Sequence, residues 1–344
     1  MDLAIEVVEI DEFKVLVEKA QNGEMPRAYI GFEPSGTAHI GWMVCSDMIE
    51  RLYEAGFDVT ILLADWHALI NDKLGGDLHA IRRCAEYMTD AFEALGVDKE
   101  RVTYRFAAEF AHDDNYWARV IQVAKHTSLA RMRRAMTIMG RTEDEADADV
   151  SKFLYPAMQV ADMFHLGVDL AYGGLDQRHA HMLARDFARK VGEKPPVALH
   201  TPLVPGLKAG AGRMDPFESK MSKSDPDSGI FIHDDNETVV RKVSGAHCPG
   251  GEVEGNPVLA MLQLIIWPRL QGNFVVERPE KFGGPIEFGS YAEVEAAFVA
   301  GKLHPQDLKV AVAAAVNRIL EPVRAYFREH PENLRFVQAL KRTK

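Results

Sequence analysis

Ala28–Trp42 reads AYIGFEPSGTAHIGW, and the fold turns on how this stretch is parsed. Ala28-Tyr29-Ile30-Gly31-Phe32 is short, apolar and aromatic, the pattern of a buried strand. Glu33-Pro34-Ser35-Gly36 carries the residues that punctuate a tight turn. Thr37 to Trp42 then runs into Met43, Val44, Met48, Ile49 and Leu52 at helical spacing. The stretch therefore reads as strand, turn, helix. A helix start offers free backbone N–H groups and the positive end of a dipole, both suited to phosphate. His39 is expected in that first turn, where it can donate to phosphate oxygens. Gly41 has no side chain and lets a ligand lie against the backbone. Alone, the stretch equally fits an ordinary βα unit with a histidine at its helix start.

A second stretch far downstream, Lys220-Met221-Ser222-Lys223-Ser224, places two lysines around small hydroxyl residues in a Gly-, Asp- and Pro-rich segment. Such a loop can bring two cations to a polyphosphate; by itself it also fits a solvated surface loop. In this order the two stretches resemble the paired signatures of class I aminoacyl-tRNA synthetases.

The bulk numbers limit the alternatives. A chain of 344 residues, 47% apolar and 26% charged, suffices for two domains with a sizeable core. No apolar run is long enough to span a membrane, and the acidic start MDLAIEVVEIDEF lacks the basic opening of a secretory signal. Cys45, Cys84 and Cys248 lie far apart with no CxxC pair, which points to a reducing, cytoplasmic setting and away from a thiolate zinc site. A net charge of −11 excludes a uniformly basic surface but not a local RNA-binding patch. Arg131, Arg133 and Arg134, near Lys125 and His126, form such a patch or a solvated helix face.

Along the chain, residues 1–27 read as a leading helical segment built on Phe13, Val15, Leu16 and Val17 and ended by Asn22-Gly23. Gly56 ends the His39 helix, residues 57–64 are a continuously apolar strand, and Asp65-Trp66-His67 follow its carboxyl end. A helix over 77–95, a strand over 102–106, a helix over 151–166 and a strand over 168–172 continue the alternation. Gly173-Gly174 reads as a turn, and Asp176 as the cap of a helix over 177–190. Residues 112–150 interrupt the pattern as a helical insertion, with a solvated acidic run at Glu143–Asp149, and from Asn236 onward the pattern is helical. The expected class is α/β: a doubly wound parallel sheet over residues 1–230, with a signature loop at about 208–228, followed by a helical domain over 231–344.

Three further segments narrow the resemblance: Tyr29-Ile30-Gly31-Phe32-Glu33-Pro34-Ser35-Gly36, Tyr155-Pro156-Ala157-Met158-Gln159-Val160-Ala161-Asp162 and Gly173-Gly174-Leu175-Asp176-Gln177-Arg178. With Glu280-Lys281-Phe282-Gly283-Gly284 and Leu303-His304-Pro305-Gln306-Asp307-Leu308-Lys309 they resemble the tyrosyl-tRNA synthetases of the archaeal and eukaryal type over nearly the whole chain. The short C-terminus suits that type rather than the bacterial one. The resemblance implies a Rossmann-like catalytic domain, a helical anticodon-binding domain and a homodimer made through the insertion. It implies that Tyr29 and Asp162 hydrogen-bond the substrate phenol, that Tyr155, Gln159 and Gln177 hold its ammonium, and that Glu33 lies near the substrate. Tyr155, Gln159 and Asp162 can share one helix face, being at positions i, i+4 and i+7. A carboxylate accepts a phenol proton well and phenylalanine would leave it buried and unpaired, a logic of which tyrosyl enzymes are themselves the known example, rejecting phenylalanine by about 10⁵ without editing.

The resemblance further implies ATP as substrate, with Mg²⁺ travelling on it, and phosphate contacts from His39, Lys220, Ser222 and Lys223, with Gly41 giving adenine room. Tyrosine is then passed to tRNA(Tyr). Arg134 and Arg178 match readers of the first acceptor base pair. Phe282 matches a residue that stacks on the first anticodon base, with His304 and Asp307 beside it. Two departures stand out. Trp42 replaces the usual last histidine of the first signature, so His39 carries more of the phosphate contact, and Lys208–Ser219 is longer than in relatives. The rivals are a tryptophanyl-tRNA synthetase, which Tyr29 with Asp162 disfavours, a small-molecule nucleotidyltransferase, which needs no lysine loop, and a non-catalytic RNA-binding relative, against which His39, Gly41, Lys220 and Lys223 speak.

Overall fold

The computed structural model describes residues 3–140, 149–208 and 227–340. Its packing divides the chain into two compact units, one of residues 1–36, 45–202 and 332–344, the other of 37–44 and 203–331. These limits differ from the expected division at 230/231: residues 203–230 go with the second unit and the last helix with the first.

The first unit is built on β1 (Glu6–Val8), α1 (Ile10–Gln21), β2 (Arg27–Phe32), α2 (Trp42–Glu54, its first turn counted with the second unit), β3 (Asp58–Leu63) and α3 (Asp65–Ile70). There follow α4 (Leu78–Ala94), β4 (Val102–Phe106), α5 (Asp114–Lys125), α6 (Leu129–Ala135), α7 (Ser151–His165), β5 (Leu170–Gly174), α8 (Arg178–Val191) and β6 (Val197–Thr201). The sheet order is β1-β6-β5-β2-β3-β4. The β2–β3, β3–β4, β2–β5 and β5–β6 pairs are parallel, and β1 joins β6 antiparallel. The chain runs outward from β2 through β3 to β4, then returns to place β5 on the other side of β2. That reversal is the switch point of a doubly wound sheet, where the carboxyl ends of neighbouring strands part. Burial on both faces explains the apolar runs Ile61-Leu62-Leu63 in β3 and Val197-Ala198-Leu199 in β6. One cluster of buried side chains joins Tyr29 and Leu62 of the sheet to Tyr116 of α5, Met132 of α6, Tyr155 of α7 and Phe187 of α8.

Four local expectations are corrected. Residues 6–8 form an edge strand, not helix. Three residues are too few to show a period, and the pairing is supplied by β6, with Glu6 opposite His200. The helix after the first turn begins at Trp42, not at Thr37. Ala38 to Ile40 pair with the chain around Phe231 instead, Ile40 donating to Ile230 at 2.8 Å and Ile232 to Ala38 at 3.1 Å. Gly173 and Gly174 end β5 rather than making a turn. Asp176 sits inside a 3-10 turn, Leu175–Gln177, and no side chain caps the start of α8.

The second unit is mainly helical: α9 (Asn236–Ser244), α10 (Pro257–Met261) running into a π turn over Leu262–Ile266, α11 (Tyr291–Val299) and α12 (Pro305–Glu329). Between them β7 (Phe274–Val276) and β8 (Ile286–Phe288) form an antiparallel hairpin that the expected all-helical pattern omits. Each strand is three residues long, below what a period-2 pattern can reveal. The last helix, α13 (Glu332–Leu340), packs in the first unit: Asn333 donates to Asp90 on α4 at 2.9 Å, and the Arg83 guanidinium lies 5.2 Å from the Phe336 ring centre.

Between β4 and α7 the chain forms α5, α6 and a 3-10 turn, Met136–Met139. Residues 141–148, most of the acidic run, lie outside the described residues. So do residues 209–226, which include Lys220, Ser222 and Lys223.

Candidate active site

At the switch point β2 delivers Tyr29, and the helices over the carboxyl ends deliver His67 from α3, Tyr116 from α5 and Asp162 from α7. Asp162 is 1% exposed. The Tyr116 hydroxyl donates to its Oδ1 at 2.8 Å. His67 Nε2 lies 3.2 Å from Oδ2, but without hydrogen-bond geometry, so Oδ2 remains a buried acceptor with no hydrogen bond from the protein. Burial opposes protonation of His67, and the Asp162, Glu33 and Asp65 carboxylates, Asp162 foremost, together outweigh it; the net shift is upward. Burial, reinforced by the Asp162 charge, pushes the Tyr29 and Tyr116 phenols above their ordinary range. Both stay protonated and can donate. A Cβ on Gly31 would come within 2.6 Å of the Tyr29 hydroxyl, so the glycine leaves room for that phenol along the strand. Asp65 fixes α3 by accepting from Trp66 N at 3.0 Å, Ala108 N at 3.1 Å and Arg82 Nε at 3.1 Å.

A second polar group centres on Glu33. Asn71 Nδ2 donates to both Glu33 oxygens, at 2.9 and 3.2 Å, and to Met139 O at 3.0 Å. Lys73 Nζ stands 3.5 Å from Glu33 Oε2, and the Tyr155 hydroxyl bonds the same carboxylate. The turn carrying Asn71 and Lys73 holds Asp72 and Leu74 in the left-handed region, at φ 53° and 52°, a strained backbone maintained by these contacts. Tyr155 also meets the His67 ring edge to face, centroids 4.9 Å apart. Gln159 Nε2 donates to Gln177 Oε1 at 3.1 Å, and Gln159 Oε1 is another buried acceptor with no hydrogen bond from the protein. Tyr155, Gln159 and Asp162 do share one face of α7, and all are buried.

The sequence reading therefore missed three residues of this site. His67 was located only as following a strand, Tyr116 was hidden in the insertion, and Asn71 belongs to no pattern. Histidine or tyrosine two residues into a helix after a strand carries no signal of its own.

In the second unit, His39 Nδ1 accepts from Gly41 N–H at 3.1 Å, and a Cβ on Gly41 would stand 2.8 Å from the His39 ring. The glycine is thus required by its neighbour's imidazole as well. Trp42 is buried at the first position of α2. Phe282, 59% exposed, rides on a turn whose Gly283 has φ 96°. Arg278 fastens that turn to the connection between α11 and α12, donating to Gly284 O at 2.9 Å and Lys302 O at 3.3 Å. His304 caps α12 through Nδ1, and Asp307 lies in that helix's first turn. In the first unit Arg134 is exposed, while Arg178 is paired with Glu6, its Nε 3.0 and 2.8 Å from the two carboxylate oxygens.

Because the folded pKa of His67 is raised, its pairing with Asp162 stabilises fully below the ordinary histidine range and is lost as pH climbs through the raised value. Asp162→Asn is expected to destabilise the fold by about 3 kcal/mol at pH 6, the scale for removing one partner of a buried pair, and by less at pH 9. Urea unfolding of both proteins at the two pH values checks this; an equal loss at both would separate His67 from Asp162.

Residues 21–321 match the family model described as tRNA synthetases class I (W and Y). A tyrosine–tRNA ligase of Saccharolobus islandicus is 47% identical over 351 aligned positions, covering 99% of this chain and 96% of that protein. The structure of tyrosyl-tRNA synthetase from Pyrococcus horikoshii complexed with L-tyrosine superposes with a TM-score of 0.89 at 39% identity, over 98% of this chain and 96% of that one. The tyrosyl-tRNA synthetase structure from Aeropyrum pernix gives 0.86 at 42% identity, with the same coverage. The match at these identities spans the sheet, the pocket helices and the helical unit alike, and the chain belongs to the class I tyrosyl-tRNA synthetases, in their archaeal form.

Proposed function

We infer that the chain activates L-tyrosine with ATP, giving tyrosyl-adenylate and pyrophosphate, and transfers tyrosine to the 3′ end of tRNA(Tyr). The observation that carries this reading is the buried Asp162 carboxylate, held by Tyr116 on one oxygen and left an open acceptor on the other. A phenol donates one hydrogen bond to that oxygen, and Tyr29 completes the contact. Phenylalanine leaves the carboxylate dry and unmatched, which is costly. At the other end the ammonium is bound by Tyr155, Gln159 and Gln177, with Glu33 supplying negative charge nearby. The Gln159–Gln177 bond and the Asn71 and Lys73 contacts keep these groups in place before substrate arrives.

In the first step the tyrosine carboxylate oxygen attacks the α-phosphorus, and the bond to the pyrophosphate oxygen breaks. In the second the 2′-hydroxyl of the terminal adenosine attacks the activated carbonyl, and AMP leaves. Neither step needs a protein nucleophile; positioning and charge stabilisation supply the rate. His39, Lys220, Ser222 and Lys223 take the phosphate contacts, Gly41 lies under the adenine, and Mg²⁺ enters on the ATP phosphates. Arg134 and Arg178 read the acceptor end. Phe282, His304 and Asp307 read the anticodon, and Phe282's exposure fits an aromatic platform rather than a core residue.

A homodimer is supported by the exposed apolar residues Ile121, Leu129, Val150 and Leu154, all on or beside the helices between β4 and β5. Cytoplasmic residence is supported by three unbridged cysteines. Among the described residues no helix is long and apolar enough to cross a membrane.

ATP–pyrophosphate exchange with tyrosine, tryptophan and phenylalanine in parallel tests the assignment. Exchange with tyrosine alone is expected; exchange with tryptophan would mean that Tyr29 and Asp162 are misread. Phe282→Ala is expected to leave exchange unchanged and to raise the KM for tRNA(Tyr) in charging by about tenfold, the scale of one lost base stack; an unchanged KM would remove Phe282 from the anticodon site.

A further inference from the structure

A polar cluster of Glu6 with the buried His200 and His181 lies beside the pocket and has no part in the chemistry above. Strand register sets Glu6 of β1 opposite His200 of β6, and His200 opposite Gly173 of β5. Glu6 Oε2 is 2.8 Å from His200 Nδ1, and His200 Nε2 is 3.0 Å from His181 Nδ1 on α8. The two imidazoles stack with centroids 5.0 Å apart, and His200 is 0% exposed. Burial lowers the pKa of both rings, that of His181 to about 3. With both rings neutral and His181 Nδ1 donating to His200 Nε2, His200 carries its proton on Nδ1, which faces the Glu6 carboxylate at ion-pair distance without hydrogen-bond geometry. The same carboxylate receives Arg178 Nε on both oxygens.

Glu6 therefore ties the start of α8 by hydrogen bonds at Arg178, and it faces the His200 imidazole that bonds His181. Between those points lies the packing surface that holds Gln177. A Cβ on Gly173 would stand 3.0 Å from Gln177 Cβ and 3.3 Å from His181 Cε1, so both side chains rest on the bare glycine. Gln177 in turn holds Gln159.

We propose that Glu6 is a positioning residue that couples occupation of Arg178 by the tRNA acceptor end to the ammonium side of the tyrosine pocket. The proposal rests on the reading of Arg178 and Gln177 given above. RNA that takes the Arg178 guanidinium removes the hydrogen-bonded tie between Glu6 and the start of α8, Gln177 is held less firmly, and tyrosine affinity falls. Glu6→Gln weakens the same tie without RNA. A residue serving stability alone would lower the melting temperature but leave the response to RNA intact.

The test is tyrosine binding by equilibrium dialysis, with and without saturating acceptor-stem minihelix of tRNA(Tyr), in the full-length wild type, Glu6→Gln and Arg178→Ala. The wild-type Kd for tyrosine is expected to rise about fivefold on adding minihelix, within the usual range of coupling between sites. Both variants are expected to show the raised Kd already, with no further response, and the double variant to be no worse than either single one. If Glu6→Gln does not fold, Arg178→Ala carries the test. A wild-type Kd indifferent to minihelix, or a Glu6→Gln protein that responds as the wild type does, overturns the proposal. Charging of tRNA(Tyr) by the same wild-type preparation separates the two levels: with charging intact only the coupling fails, whereas without charging the functional reading itself fails.

Discussion

A carboxylate removed from water is the constraint on which this structure depends. Asp162 is almost wholly buried, and an ionised group in such a place must be matched by donors or it neutralises. Tyr116 provides one donor and His67 an imidazole whose protonation that carboxylate favours, while the phenol of Tyr29 stays protonated beside the same charge. Three elements that are distant in sequence are thereby committed to one point. The remaining acceptor on Asp162 has an obvious complement in a ligand that brings a hydroxyl of its own. Under the function proposed above, selectivity for a phenol follows from what the site loses when no such hydroxyl arrives.

The sheet topology makes that convergence possible. Because the chain reverses between β4 and β5, the carboxyl ends of β2 and β5 diverge, and side chains from α3, α5 and α7 can reach the opening. The edge strand β1 adds a further layer of order. It brings Glu6 to His200 and Arg178, so the start of α8, and with it Gln177, is fixed from outside the pocket. On the other flank the turn through Asp72 and Leu74 stands in a costly backbone conformation and presents Asn71 and Lys73 to Glu33. Both flanks hold groups in place for a reaction that needs little from the protein except geometry and charge.

What could be read from the sequence was what long local patterns encode. The strand at Ala28–Phe32, the strand at 57–64 and the shared helix face of Tyr155, Gln159 and Asp162 all reflect periodicities that burial imposes directly. The unread parts depend on distant partners. β1 exists because β6 offers an edge, and the β7–β8 hairpin because two very short strands find each other. Ala38 to Ile40 lead into an apolar run at helical spacing but pair with the chain near Phe231, so the helix starts later. Tyr116 and His67 are ordinary helix residues until Asp162 is placed between them, and no spacing in the chain announces that meeting. Asp176 looked like a cap because aspartate before a helix often is one; a 3-10 turn occupies that place instead.

The central claim is that the Asp162 carboxylate, not the shape of the pocket, selects the phenol. Measuring kcat/KM for tyrosine and for phenylalanine in pyrophosphate exchange, in the wild type and in Asp162→Asn, tests it most directly. The substitution keeps the side-chain volume and removes the charge. A collapse of the tyrosine-to-phenylalanine ratio by about 100-fold or more is predicted. A ratio that survives the substitution, in protein that still folds, would contradict the account and assign selectivity to packing alone.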